Sequence, residues 1–182
     1  MGIVNLFCRN PELKSRLENT RPRLYRLAYS WCHDPYLADD LVQETLSKGL
    51  KNLGKLRKLE TLESWLFTIL TNTWRSHLRA KKEHVEYNEE SFHDDSTPEQ
   101  VNSRFETINS VQQAIGQLGL GQRQVVTLVD LEGFSYAEVA EILGIPIGTV
   151  MSRLCRARQA LKESLLENAS ENGLELKLVK IK

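Results

Sequence analysis

Apolar residues recur along the chain at three- and four-residue spacing, which is the period of amphipathic helices. The spacing predicts a first helix from about Pro11 to Cys32, a second from Asp34 to about Leu53 and a third from about Leu62 to Lys81. Four further helices are predicted near 98–118, 122–132, 136–143 and 146–167. Alternating β-branched stretches are few, so we predict an all-α fold.

The helical pattern is interrupted once over a long stretch, by "KEHVEYNEESFHDDSTPEQ". This stretch is acidic, poor in aliphatic residues and ends in Ser-Thr-Pro, a composition typical of a flexible linker. We therefore predict two small helical domains, 1–82 and 100–168, joined by a flexible acidic linker at 83–99. The C-terminal tail, 169–182, is too short for an assignment. Neither domain is long enough for a large core of its own.

Charge is distributed unevenly although the total is balanced. The chain has 24 Lys and Arg residues against 24 Asp and Glu residues, a formal net charge of zero. The segment from Lys48 to Lys82 is nevertheless basic, and the segment from Glu83 to Glu99 is acidic. The neutral total therefore hides a basic segment followed by an acidic one.

Several classes of protein are excluded by simple features. Three widely spaced cysteines, Cys8, Cys32 and Cys155, fit neither a disulfide framework nor a zinc finger. His77 and His84 have no Cys or acid at a metal-ligand spacing, so neither a metal nor another cofactor is expected. The N-terminus lacks the pattern of a signal peptide, and no apolar run approaches the roughly 18 residues that a membrane helix needs. We expect a reduced, cytoplasmic protein.

The C-terminal domain contains a helix pair with distinct capping signals. Ser135 and Glu138 form a capping box that opens a short helix. Gly144 supplies the left-handed residue that ends this helix, and Pro146 begins the next one. Two helices that meet across so short a turn predict a helix-turn-helix.

The second helix of the pair has the layout of a DNA-reading helix. Its predicted inward stripe consists of Val150, Leu154, Ala157 and Leu161. The opposite face carries Ser152, Cys155, Arg156 and Gln159, with Met151 at its edge and Arg153 and Arg158 on its two flanks. Central residues could reach base edges while flanking arginines hold phosphates. The alternative is an amphipathic surface helix whose arginines are merely solvated.

Three stretches together resemble the extracytoplasmic-function (ECF) group of bacterial sigma factors. "DLEGFSYAEVAEILGIPIGTVMSRLCRARQAL" resembles sigma region 4, "DPYLADDLVQETLSKGL" resembles region 2.2, and "ESWLFTILTNTWRSHLRAKK" resembles regions 2.3 and 2.4. The resemblance covers about 10–82 and 100–166. It implies a promoter-specificity subunit without catalytic activity. Its partners would be RNA polymerase core, through the β′ clamp coiled coil and the β flap, promoter DNA, and an anti-sigma factor that is either soluble or membrane-bound.

The resemblance also implies three sets of site residues. One would read the promoter −35 element and comprises Thr149, Met151, Ser152, Arg153, Cys155, Arg156, Arg158 and Gln159. One would capture the −10 element and comprises Lys55, Arg57, Lys58, Asn72, Arg75 and Arg79. One would bind polymerase core and comprises Asp39, Asp40, Gln43 and Glu44. Helical periodicity independently places these last four on one arc, opposite the apolar residues of the second helix.

The sequence departs from the family pattern in two places. Gly119 and Gly121 stand where Leu-Pro is frequent, and Met151 and Cys155 stand where basic or aromatic residues are frequent. The second departure bears on which −35 sequence is preferred. Trp74 has two interpretations, as a core residue or as a platform on which DNA bases stack.

Two other functions compete with the sigma-factor hypothesis. A stand-alone helix-turn-helix regulator would need a dimerisation seam, and no long apolar seam lies outside the two predicted domains. A nuclease would have to use the linker acids with His84 and His93, in a segment too polar to hold a fixed geometry.

Overall fold

The computed structural model describes residues 11–56, 58–85 and 103–171, and it consists of helices joined by short turns. The all-α fold predicted from periodicity is confirmed. We number the helices α1 (Pro11–Cys32), α2 (Pro35–Lys51), α3 (Leu62–Val85), α4 (Ser103–Gln117), α5 (Leu120–Val126), α6 (Tyr136–Leu143) and α7 (Ile147–Glu171). Helix α5 continues into a π-helical turn over Thr127–Leu131.

Helices α1, α2 and α3 pack against one another and form the first helical group. The α1–α2 corner is closed by Asp34, whose Oδ1 accepts hydrogen bonds from the backbone N–H groups of Tyr36 (2.8 Å) and Leu37 (3.1 Å). This is the N-cap that the sequence predicts. Helix α2 approaches α3 closely at Gly49. A Cβ at that position would lie only 2.8 Å from Cδ2 of Leu66.

Helices α4 to α7 form the second helical group, and α6 and α7 form the predicted helix-turn-helix. Ser135 and Glu138 make both halves of the capping box, and Gly144 ends α6 with a left-handed φ of 63°. Helix α7 begins at Ile147 rather than at Pro146, whose carbonyl accepts from the Val150 N–H at 3.2 Å. The proline therefore precedes the first helical residue instead of occupying it.

The two helical groups pack on each other. Helix α3 lies against α6, and α1 lies against α4, α5 and the π-helical turn. Buried side chains of both groups form one continuous apolar cluster, in which the rings of Phe67 and Phe134 meet edge to face at 4.9 Å. Each group thus adds buried apolar surface to the core of the other.

Some helix ends differ from the sequence prediction. Helix α2 ends at Lys51, because the Asn52 side chain and backbone N–H both bond to the Lys48 carbonyl and close the last turn. The predicted loop that follows contains two 3-10 turns, Leu53–Lys55 and Leu59–Thr61. Helix α3 continues past Lys81 to Val85. Most of the predicted linker and the end of the tail lie outside the described residues.

Candidate nucleic-acid and polymerase interfaces

The outward face of α7 is the clearest candidate for a reading surface. Val150, Leu154 and Ala157 are fully buried or nearly so, at 0%, 2% and 0% exposure, and Leu161 is half-buried. The inward stripe predicted from periodicity is therefore confirmed. Met151, at the edge of the opposite face, is 53% exposed. The remaining predicted central residues are also exposed, namely Ser152, Cys155, Arg156 and Gln159.

The two flanking arginines have different environments. Arg158 is held by Asp130 through paired hydrogen bonds, Nε to Oδ2 at 3.1 Å and Nη2 to Oδ1 at 2.6 Å. This bidentate contact raises the pKa of the Arg158 guanidinium. Arg153 is half-buried, and its guanidinium lies over the backbone of Gly121, where a Cβ would be 3.0 Å from Cζ. The unusual glycine of α5 thus makes room for the arginine on the reading helix.

Polar contacts along α7 fix the direction of other side chains. Arg156 Nε donates to the Ser152 carbonyl at 3.2 Å, and Gln159 Nε2 donates to Glu163 Oε1 at 2.5 Å. Thr149 is half-buried in the first helical turn. These bonds lie within the helix, so they orient the side chains without drawing them away from the outward face.

One residue on this surface was missed by the sequence interpretation. Tyr136, the first residue of α6, is 37% exposed. Together with Met151, Cys155 and Arg158 it lines a shallow depression of about 370 Å³ beside the reading helix. The sequence signal was its position directly after the Ser135 cap, which fixes Tyr136 at the helix start and therefore near the turn.

The predicted −10 residues lie on and before α3. Asn72 is exposed, and so are Lys55 and Lys58, whereas Arg57 lies outside the described residues. Arg79 Nη2 donates to Ser76 Oγ at 3.4 Å. Trp74 is 6% exposed and its ring stacks on His77, so it belongs to the core in this structure rather than offering a free stacking platform.

Arg75 differs from the other −10 candidates because it contacts the second helical group. Its Nη2 donates to the carbonyl of Leu143, the last residue of α6, at 2.8 Å. Burial lowers the pKa of the Arg75 guanidinium, and the positive charges of Arg153 and Arg79 lower it further. A candidate −10 cation and a candidate −35 cation are thus close enough to repel each other.

The predicted core-binding face of α2 is polar and accessible. Asp40, Gln43 and Glu44 are exposed, and Asp39 is half-buried. Asp39 pairs loosely with Arg21 (3.7 Å), and Glu44 pairs with Lys48 (2.7 Å). The apolar face opposite is buried, as the sequence predicts, at Ala38, Leu41, Val42, Thr45 and Gly49.

The described part of the chain contains neither a cluster of metal-ligand side chains nor a helix that could span a membrane. Over those residues, no three His, Cys, Asp or Glu side chains converge in a way that could hold a metal ion. None of the helices described there combines the length and apolar character needed to cross a membrane.

Comparison with known proteins decides the family. The Sigma-70 region 2 model matches residues 17–84, and the Sigma-70 region 4 model matches residues 108–161. The ECF RNA polymerase sigma factor EcfG of Rhodopseudomonas palustris is 34% identical over 151 residues, which are 83% of each chain. This chain belongs to the ECF sigma factors. It binds RNA polymerase core and directs promoter-specific initiation of transcription, and the stand-alone regulator is not favoured.

Further relatives of this sigma factor agree. The RNA polymerase sigma-H factor of Pseudomonas aeruginosa is 33% identical over 79% of this chain and 80% of its own. The sigma factor RpoE of Bartonella quintana, solved in complex with the anti-sigma factor NepR, superposes with a TM-score of 0.77 at 31% identity, covering 86% of this chain and 98% of RpoE. CnrH, solved with the cytosolic domain of CnrY, gives a TM-score of 0.62 at 26% identity, covering 86% and 88%.

Proposed function

We propose that three surfaces divide the work of this sigma factor, none of them catalytic. The acidic face of α2 docks on polymerase core, the polar and basic face around α3 captures the −10 strand, and the outward face of α7 reads the −35 duplex. The observation that carries the proposal is the orientation of α7. Its apolar stripe is buried against α5 and α6, so the side chains of Met151, Cys155 and Arg156 face outward.

At the −35 element, exposed polar and apolar groups would share the reading. Arg156 has the geometry for bidentate contact with a guanine, which is worth roughly 1–3 kcal/mol of discrimination. Met151 and Cys155, with Tyr136 beside them, offer apolar contact that suits a thymine methyl group. Thr149, Arg153 and Arg158 would hold phosphates, Ser152 and Gln159 would bond to base edges, and the start of α7 favours an anion.

At the −10 element, an unstacked base and its backbone would be held separately. Asn72 is exposed on α3, and an amide can form paired hydrogen bonds with the edge of a flipped base. Arg75, Arg79, Lys55 and Lys58 would neutralise neighbouring phosphates, a contribution that weakens as salt rises. Arg57 belongs to the same proposed set.

For core binding, the exposed carboxylates of α2 would meet a basic helical partner. Asp40 and Glu44 lie one helical turn apart, so both face the same direction. Charge complementarity of this kind speeds association and fixes orientation. We place the contact at the β′ clamp coiled coil, with the region 4 helices on the β flap, and we expect the chain to act in the cytoplasm.

An anti-sigma factor is the further partner we propose. Support comes from RpoE, which was solved in complex with its anti-sigma factor NepR, and from a cleft of about 670 Å³ where α1 meets α4. Tyr25, Tyr29, Ile115 and Leu131 give this cleft an apolar lining suited to an amphipathic helix.

Run-off transcription tests the proposal. The purified chain is added to sigma-free bacterial polymerase core with a pool of candidate promoter fragments. Transcripts that depend on the chain, together with co-elution of chain and core, are the expected result. Absence of core binding would refute the proposal even if the chain bound DNA. Dimeric binding to an operator without core would support the regulator instead.

Matched variants assign the three surfaces. Arg156→Ala should alter promoter choice without affecting core binding, whereas Asp40→Lys should weaken core binding and leave −35 duplex affinity unchanged. Ser47→Ala, an exposed change on α2 outside the acidic set, is the control. Equal effects of Arg156→Ala on core and DNA binding would show that the surfaces are wrongly assigned.

A further inference from the structure

The contact between the two helical groups is centred on Arg23 of α1. Its Nε donates to Glu132 Oε2 at 2.7 Å, its Nη2 donates to the Glu132 carbonyl at 3.1 Å, and its Nη1 bonds to Glu63. The guanidinium also lies 5.5 Å from the ring centre of Phe67 and 5.8 Å from that of Phe134. We call these five residues the Arg23 node. The Glu132 side chain is 2% exposed, so its charge is compensated mainly across the interface.

A second set of hydrogen bonds joins the C-terminal end of α1 to α5. Trp31 Nε1 donates to Thr127 Oγ1 at 3.0 Å in a buried position, and Thr127 lies at the start of the π-helical turn. Arg123 Nη1 donates to the Trp31 carbonyl at 2.8 Å, while its Nη2 bonds to the carbonyls of Gly116 and Leu118. These bonds satisfy polar groups that burial would otherwise leave unpaired, so they hold one relative position of the groups.

The approach is also tight between the α1–α2 corner and α4. His33 adopts a positive φ of 55°, and its ring packs against Gly116. A Cβ on Gly116 would lie 2.8 Å from His33 Nε2 and 3.0 Å from Cε1. An alanine at this position would force the exposed His33 ring to shift in the closed arrangement, whereas it would favour helix α4, since alanine is the better helix former.

In the closed arrangement, the proposed −10 and −35 surfaces lie too close together to bind both promoter elements at once. By their names, the −10 and −35 elements lie about 25 base pairs apart, which is about 85 Å of duplex at roughly 3.4 Å per base pair. Arg75 instead bonds to Leu143, four residues before α7 begins at Ile147. Four residues reach at most about 15 Å. Duplex DNA, with a persistence length of about 150 base pairs, does not fold back over such a length without a large cost.

Closure also uses a side chain that the −10 element would need. The Arg75 guanidinium donates to the Leu143 carbonyl through Nη2 and is partly buried, so fewer of its N–H groups are available to a phosphate. In contrast, Asp40, Gln43 and Glu44 on α2 and Ser152, Cys155 and Arg156 on α7 stay exposed. The closed chain therefore leaves the core-docking face and the −35 face accessible, while it hinders the −10 contact of Arg75 and prevents simultaneous engagement of both promoter elements.

We propose that the free chain is held in a closed, self-inhibited conformation by the Arg23 node, and that the node opens before both promoter elements can be bound. This rests on the proposed assignment of the −10 and −35 surfaces. The node acts through Glu132 and Phe134, which reach back from the second group onto α1 and α3. A partner that binds the open form better shifts the population toward it.

Two variants open the chain by different means. Gly116→Ala places a methyl group against His33 in the closed form only, while it favours helix α4 in the open form. Glu132→Gln removes the charge that pairs with Arg23 and keeps the shape of the side chain. Their matched controls are Gly54→Ala, where a Cβ meets nothing within 4 Å, and Glu141→Gln, an exposed carboxylate on α6.

Small-angle X-ray scattering of the full chain measures closure, and run-off transcription with polymerase core measures its consequence. A compact chain of 182 residues has a radius of gyration of about 16 Å. Two domains with a radius of gyration of about 12 Å each, with centres about 35 Å apart, give about 21 Å. We expect the wild type near the first value and both opening variants near the second. The variants should reach half-maximal transcription at several-fold lower concentration, and their affinity for an isolated −35 duplex should stay within about twofold.

Other results overturn the inference. A wild type as extended as the variants would show that the chain is not closed in solution. Extended variants without a gain in transcription would show that closure does not inhibit. If the wild type neither binds core nor yields transcripts, the proposed function itself fails and takes the inhibitory role with it, while scattering still decides whether the chain is closed.

Discussion

The capping box of α6 gives a prediction whose size follows from local geometry. The Ser135 hydroxyl accepts from the Glu138 N–H at 3.3 Å, and Glu138 Oε2 accepts from the Ser135 N–H at 2.8 Å and from its hydroxyl at 2.7 Å. Ser135→Ala removes the first and third of these bonds. Loss of such a cap costs about 1 kcal/mol, and because the site is exposed, water replaces part of it. For a chain of this size the melting temperature should fall by about 2–4 °C.

The same box has a pH signature. Its hydrogen bonds to Ser135 hold the pKa of the Glu138 carboxyl below its usual value of 4.5. A carboxyl whose pKa is lower in the folded chain stabilises the fold fully above its unfolded pKa, and this contribution is lost as the pH falls through the folded pKa. The stability difference between wild type and Glu138→Gln should therefore be constant near neutral pH and shrink below about 4.5.

Urea unfolding followed by circular dichroism, at several pH values, measures both effects. Ser47→Ala is the control, since it replaces an exposed serine in the interior of α2 and should leave the free energy of unfolding unchanged or slightly higher. Two results would refute this reasoning: a Ser135→Ala variant as stable as the wild type, or a Glu138→Gln difference that grows as the pH falls.

Four other substitutions test the interfaces. Cys155→His should change the preferred −35 sequence, measured by selection from randomised duplexes, while core binding stays intact. Arg156→Ala should relax preference at one base by about 1–3 kcal/mol, and an equal loss on every sequence in competition binding would contradict base reading. Gly121→Ala should raise the free energy of unfolding by up to about 1 kcal/mol in urea titration, because alanine favours the helix. The new Cβ would lie 3.0 Å from Cζ of Arg153, whose guanidinium can move away. A lower free energy of unfolding would show that Arg153 is rigidly held. Asp40→Lys should weaken core binding, measured by competition with the wild-type chain, and an unchanged affinity would remove Asp40 from the docking face.

Local features of the fold could be predicted because each depends on a few neighbouring residues. The cap at Asp34, the capping box at Ser135 and the left-handed Gly144 are set by hydrogen bonds or backbone freedom within one turn. The inward stripe of α7 follows from the helical period alone, and it places Cys155 outside. The helix end at Lys51 was predicted two residues too far, because the Asn52 side chain that closes the turn leaves no mark in the hydrophobic pattern.

The candidate site could be predicted as a set of residues but not as an arrangement. Sequence pattern picks out Arg75 as a cation on α3. It cannot show that the hydrogen-bond acceptor of Arg75 is a carbonyl 68 residues away. Glu132 likewise is the last residue of a predicted helix in the sequence, whereas in the structure its side chain is the buried acceptor for Arg23, 109 residues earlier. Contacts of this kind depend on how the two groups pack, and no local pattern encodes that packing.

The charges of the two proposed DNA-binding surfaces oppose the closed form. Arg75 and Arg153 come from different helical groups, and after burial the positive charge of Arg153 contributes to lowering the pKa of Arg75. The Arg23 node must therefore outweigh a repulsion that the proposed function requires, since phosphate binding needs both cations. Adding positive charge to either surface would strengthen DNA binding and loosen closure together. Affinity for the promoter and ease of opening are thus coupled through the same arginines.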